Sequence, residues 1–224
     1  MARAASFDRD TVLDRALALF WRHGYAATSM RDVAEATGLG SGSLYAAFGD
    51  KRGLFTAVLA RYRERVSART LAPLDADDAG LAAIEAVFTT LVRRDPAAPA
   101  PGCLVTNTAC ELGPHDDLVR AGLKDALDGL AIRLEQALVR ARARGEIARH
   151  LDPADTAALL VGLAQGLRVL ARLGEPAERL DRIVRAGLAP LRPDAPTTDP
   201  KGPNHGRVDA ASAGADARRA DDRR

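Results

Sequence analysis

Apolar positions recur every three to four residues along most of the chain. Leu13, Ala16, Leu17 and Phe20 fall at i, i+3, i+4 and i+7, the single buried stripe of a helix. Asp8 stands where it caps that helix, with Phe7 and Val12 spaced as a hydrophobic staple. Ser29-Met30-Arg31-Asp32 is close to a capping box and opens a second, short helix that Gly38 stops. Leu39 then sits in a turn with room only for a sharp reversal. A third short helix runs from Ser41 to Phe48, ended by Gly49-Asp50. Asp50 caps a fourth, which carries Leu54, Phe55, Val58, Leu59, Tyr62 and Val66.

Longer helices follow. Leu81, Ile84, Phe88, Leu91 and Val92 mark one, closed by Asp95-Pro96. A Pro/Ala-rich linker from Pro96 to Pro101 precedes a segment from Gly102 to Leu112. Leu118, Leu123, Leu127, Leu130, Leu134 and Leu138 mark a long helix that ends near Gly145. Asp152-Pro153 starts the next as cap and first-turn proline, with Leu159, Leu160, Leu163, Leu167 and Leu170 expected on its buried side. Leu180, Ile183, Val184 and Leu188 carry the last helix, and Pro190 and Pro193 finish it. No segment alternates with period two, so the expected fold class is all-α. From Pro193 to the end there is one Val and no Leu, Ile or aromatic residue, so residues 193–224 are expected to be a disordered tail.

Composition narrows the choice of function. The chain has 224 residues, 47% apolar and 28% charged, enough for a real core. The net charge is only +2, but residues 1–69 hold 11 basic and 7 acidic side chains, and a positive end on a near-neutral body suggests a surface for a polyanion. The two cysteines, Cys103 and Cys110, cannot build a disulfide framework, and no Cys/His cluster has metal-ligand spacing, so no metal or cofactor is expected. The N-terminus has no apolar stretch of signal-peptide length. The longest uncharged run, residues 96–110, is 15 residues and contains three prolines, too short and broken to span a bilayer. These features lead to the expectation of a cytoplasmic protein without a membrane partner.

The two short helices over 29–37 and 41–48 have the proportions of a helix-turn-helix. A helix is about as wide as the DNA major groove, so a short second helix braced by the first can set its N-terminal residues on base edges. Gly40-Ser41-Gly42-Ser43 at its leading end are all small and permit close approach. An ordinary corner between two helices of a bundle fits the spacing alone. The stretch from Thr28 to Lys51, TSMRDVAEATGLGSGSLYAAFGDK, resembles the DNA-binding domain of the TetR family of transcriptional repressors, and the likeness covers about residues 8–60. A weaker, sub-family likeness lies in Pro101–Leu112 and in Leu163–Leu170.

The resemblance implies a helix-turn-helix domain over 1–50, a connecting helix over 51–69 and a helical ligand-binding and dimerisation domain over 70–192. It implies that Ser29 caps the first motif helix and faces a phosphate, and that Arg31 is the base-reading residue. Ser43 and Tyr45 would reach phosphates with their hydroxyls, and Lys51 would add a charge-assisted contact. Ser41, Gly42 and Ala46 complete the set, with Ala46 able to pack on a thymine methyl. Family members usually carry larger polar residues on the recognition helix, so specificity here would lean on Arg31 and on DNA shape.

A repressor head on a helical body implies a switch: a dimer on a palindromic operator, released by a small-molecule or redox effector. The resemblance places the dimer interface on the last two helices, with Leu159, Leu163, Gly166, Leu170, Leu180, Ile183 and Val184 as candidates and Gly162 beside Gly166 allowing close approach. Eight of the nine aromatic residues lie in the head, so the effector pocket is expected to be leucine-walled. Its candidate lining is Phe88, Cys103, Thr106, Asn107, Glu111, Gln165 and Arg168, with Thr108 also polar in that stretch. Cys103 is either a reactive thiol at a helix start or a small buried hydrophobe. Four scattered histidines and no nucleophile–base pair argue against an enzyme. A helical protein–protein adaptor is the rival reading.

Overall fold

The computed structural model describes residues 7–92 and 102–193, Leu118 by its backbone alone. The linker expected over Pro96–Pro101 and the tail beyond Pro193 lie outside the described residues. All regular structure among the described residues is helical. The head comprises α1 (Arg9–His23), α2 (Met30–Thr37), α3 (Ser41–Phe48) and α4 (Lys51–Tyr62). α4 continues through a π-turn, Arg63–Ser67, into the short α5 (Ala68–Leu71). The body follows as α6 (Leu81–Val92), α7 (Leu104–Leu112), α8 (Asp117–Ala143), α9 (Pro153–Arg172) and α10 (Ala177–Leu188).

The helix starts are where the caps put them. Asp8 accepts from the Asp10 amide, Asp50 from the Gly53 amide, and Asp152 from those of Ala154 and Asp155. Ser29 and Asp32 form a reciprocal capping box, each side chain taking the other's backbone N–H. Such a cap is worth about 1 kcal/mol, which matters most for an eight-residue helix that nucleates poorly alone. Gly38 ends α2 at φ +73°, a left-handed conformation that costs glycine nothing.

Two apolar clusters hold the molecule together. One is the body core, in which Ile84, Phe88, Leu134, Leu138, Leu160 and Leu167 are fully buried. The other is the head core, built on Phe20, Val33, Leu44, Leu54, Phe55 and Tyr62. Cys103, Leu104 and Val105 of the body belong to this second cluster, as do Val119 and Leu123 of α8. The head is therefore sealed by the body.

Three expectations need correcting here. Leu159 does not face inward: it is 68% exposed, because the inner side of α9 is taken by Leu160, Ala164 and Leu167. Leu180 and Val184 are not free to meet a second subunit, since both are buried in their own subunit's core. Leu163 and Leu170 are only half-buried, and Leu163 packs where a side chain on Gly187 would sit. Among the described residues α9 is the one helix long and apolar enough to cross a bilayer, yet it packs along α8 as a core helix.

Candidate nucleic-acid interface and effector cavity

α1 braces the helix-turn-helix through cations placed at helix C-termini. The Arg15 guanidinium donates to the carbonyl of Thr37 at 3.1 Å, at the end of α2. Arg9 donates to the carbonyl of Ala47 and lies 4.4 Å over the Phe48 ring, at the end of α3. Both sites carry the negative end of the helix dipole. Arg61 of α4 donates to Asp14 at 2.8 Å and to Asp10 at 3.0 Å, tying α4 back to α1. The Arg61 hydrogen bond holds the Asp14 carboxyl below the usual carboxylate range, against the opposing push of burial.

This bracing leaves one end of α3 bare. Its cap is Gly40, which brings no side chain, and Ser41, Gly42, Tyr45 and Ala46 are all exposed. Ser43 is half-exposed, while Leu44 and Phe48 point into the head core. Arg31 projects from α2 with its side chain 87% exposed, held only by a surface ion pair to Glu35 at 3.0 Å. The Ser29 hydroxyl is occupied by Asp32, so what Ser29 can offer a phosphate is restricted. Lys51 sits 4.3 Å over the Tyr25 ring and reaches the carbonyl of Ala26.

Residues 12–58 match the family described as bacterial regulatory proteins, tetR family, and residues 79–187 match the tetracyclin repressor-like C-terminal domain. The chain is 38% identical over 188 residues to the HTH-type transcriptional repressor ComR of Escherichia coli (strain K12), covering 83% of this chain and 90% of that protein. The chain belongs to the TetR family of transcriptional regulators. A second TetR-type relative, the HTH-type regulator YezE of Bacillus subtilis (strain 168), is 31% identical over 82% of this chain and 94% of its own length. Among solved structures, a cysteine-substituted form of the TetR family regulator CifR, in complex with 26-base-pair operator DNA, superposes with TM-score 0.75. It is 30% identical, over 85% of this chain and all of its own.

A cavity of 440 Å³ lies between the α4–α5 segment, α7, α8 and α9. Of the expected lining residues, Cys103, Gln165 and Arg168 are there. Thr106 stands behind them, its hydroxyl bonded to Gln165. Phe88 is elsewhere, buried in the body core. Asn107 lies beside Gly102 and does not line the cavity. Thr108 is buried without lining it.

Glu111 also proves to be elsewhere. Its carboxylate accepts the backbone N–H groups of Tyr25 and Ala26, in the loop between α1 and α2. Gly24, at φ +84°, lets the loop approach closely: a Cβ there would lie 2.9 Å from the carboxylate. Two further bonds cross the same seam, Trp21 to the Gly102 carbonyl at 3.1 Å and Arg52 to Asp116 at 2.9 Å. Nothing in local sequence pattern marks these partners, which lie 64 to 86 residues apart.

At the inner end of the cavity three polar groups form a line. Arg168 donates to the Tyr62 hydroxyl at 3.1 Å, and that hydroxyl donates to the Cys103 sulfur at 3.7 Å. Burial pushes the Cys103 thiol up, but the Arg168 charge and bonds from Thr106 outweigh it and leave the thiol below its ordinary value. Burial, with Cys103 beside it, pushes Tyr62 up. Arg168 is held above its usual value by Cys103 and Tyr62, despite its burial. Cys110, by contrast, is exposed.

Proposed function

We propose that this TetR-family protein is a transcriptional repressor that binds a palindromic operator as a homodimer and lets go when an effector fills the 440 Å³ cavity. The observation that carries DNA binding is the bare leading end of α3 beside the exposed Arg31, braced from behind by Arg9 and Arg15. In this reading Arg31 reads a base edge, while Ser29, Ser41, Gly42, Ser43, Tyr45 and Lys51 contact the backbone and Ala46 packs on a base. As a DNA-bound regulator it works in the compartment that holds the chromosome.

The dimer forms through the outer face of α9 and the adjoining part of α10. Leu159, Val169 and Leu173 are 68%, 45% and 75% exposed on that side, with Gly162 and Gly166 open between them. A row of large apolar side chains in water favours a second copy. Gly166 and Leu159 keep the interface role, joined by the half-exposed Leu163, Leu170 and Ile183.

Cys103 gives a second reading of the switch. Its lowered pKa beside Arg168 favours the thiolate, the form that reacts with oxidants and electrophiles. The effector would then be covalent.

Fluorescence anisotropy with a duplex from the gene's own upstream region tests the central reading. Binding at low ionic strength that falls steeply as salt rises is expected. A protein that leaves that duplex unbound at low salt and sediments as a monomer overturns it in favour of a protein–protein adaptor.

A further inference from the structure

We infer that the cavity takes an amphipathic organic anion, its carboxylate received by Arg168 and its apolar part lying along Leu71, Val105, Leu127 and Leu130. The inference rests on the cavity being the effector site and names the chemistry of what enters it.

The argument begins with an unbalanced charge. Arg61, Arg65, Arg133, Arg144 and Arg192 each hold a carboxylate within 4 Å, whereas Arg168 has no such partner among the described residues. A partly buried guanidinium is expensive to keep without a counter-ion. Its Nε is the one buried side-chain nitrogen or oxygen among the described residues with no hydrogen-bond partner. An unpaired buried polar atom is costly, so natural interiors seldom keep one without a use. The Tyr62 hydroxyl satisfies Nη1, but it is neutral.

The surroundings supply the rest of the ligand. The walls are aliphatic, and 440 Å³ lies within the usual range for small-molecule sites. Polar groups gather at one end, where Arg168 and Gln165 meet Cys103. The rim is mixed: Glu64 and Asp125 bring negative charge, Arg63 brings positive charge, and Arg133 is already paired with Asp75. Glu64, Asp125 and Arg63 are all exposed, so water screens them and the partly buried guanidinium decides which charge is welcome. α4 also departs from regular α-geometry at this rim, in the π-turn Arg63–Ser67, a rare feature that concentrates at functional sites.

A neutral ligand would leave the charge unmet, whereas a carboxylate would meet it. Cys103 stands beside the same cation, so a bound carboxylate would weaken the pull of Arg168 on its thiol.

The test uses the full-length protein on its operator duplex, with octanoate as the probe and octanamide as its uncharged counterpart. Calorimetry should show octanoate binding at least about tenfold more tightly than octanamide, as expected for a charge-assisted hydrogen bond, and anisotropy should show operator release by octanoate. Arg168→Met should weaken octanoate at least about tenfold while leaving octanamide within about twofold. Arg168→Lys, which keeps a cation, should retain part of the preference and covers the case in which the Met variant folds poorly. Gly129→Trp separates the two layers of the argument, because a side chain there starts in open space and would fill the cavity. If octanamide matches octanoate and Gly129→Trp blocks both, the cavity stands and the anion is wrong. If octanoate releases the operator equally well from Gly129→Trp, the cavity itself is wrong. Octanoate that fails to bind, or release by N-ethylmaleimide through Cys103 but not by octanoate, overturns the inference in favour of a covalent effector.

Discussion

Glu111 accepts the backbone N–H of Ala26 at 2.5 Å, while the Ala26 carbonyl takes the Lys51 ammonium from the other side. One residue just before the helix-turn-helix is thus gripped by the body through its amide and by the head through its carbonyl. Glu111 lies in the last turn of α7, whose start lines the cavity, so this one helix connects the cavity wall to the loop before α2. Replacing Glu111 with Ala should lower unfolding stability by about 1–3 kcal/mol, since two backbone donors lose a charged acceptor. Glu111→Gln should recover roughly half of that. Urea titration followed by circular dichroism checks both.

Arg31 and Lys51 should separate by kind of effect. Arg31→Ala is expected to cost about 1–3 kcal/mol on the cognate operator and to relax preference at one base pair. Lys51→Ala should weaken all duplexes alike and reduce the salt slope by about one. Binding to a set of single-base operator variants, repeated across salt concentrations, distinguishes them.

The α1–α4 link should leave a signature in acid. The Asp14 pKa is lowered in the folded state by its hydrogen bond to Arg61. Its contribution is therefore present above the ordinary carboxylate value and is lost as pH falls through the lowered one. Wild-type stability should be flat in this respect from about pH 7 to about pH 5 and drop below about pH 4. Asp14→Asn should be less stable at neutral pH and show a shallower acid drop, as read by thermal melts across that range.

A charge on the outer face of α9 should divide the dimer. Leu159→Glu or Leu173→Glu would place a carboxylate against an apolar partner surface and raise the dimer dissociation constant about a hundredfold or more. Because Leu159 and Leu173 are 68% and 75% exposed within one subunit, the monomer's own melting should change little. Sedimentation velocity beside calorimetry makes the comparison.

The two thiols should react at different rates. Cys110 is exposed, while Cys103 is 5% exposed despite its lowered pKa. Iodoacetamide on the native protein should modify Cys110 first and Cys103 at least about tenfold more slowly, access rather than ionisation being limiting. Mass spectrometry of timed digests reads the order.

Local rules made much of this molecule legible. The caps at Asp8, Ser29, Asp50 and Asp152 and the stop at Gly38 are short-range chemistry, and the helices begin and end accordingly. The stretch from Thr28 to Lys51 carried enough pattern to indicate the family, whose model matches residues 12–58. The failures share a cause: each depended on which side of a helix met which neighbour. Leu159 and Leu160 are adjacent leucines, and only the position of α8 decides that one is buried and the other is not. Phe88 is apolar in either role, and the body core claimed it. Glu111 looked like a pocket residue because nothing near it in sequence reveals a loop 85 residues away. The Tyr62–Arg168 bond, 106 residues apart in the chain, is invisible for the same reason.

Because Cys103, Leu104 and Val105 are buried with Phe20, Phe55 and Tyr62, the reading head has no boundary of its own near residue 70. A chimera that grafts residues 7–69 onto a foreign sensor would open an apolar socket at the junction. Grafts that also carry the helix from Leu104 to Leu112, or a replacement matched to its contacts, would keep that socket filled.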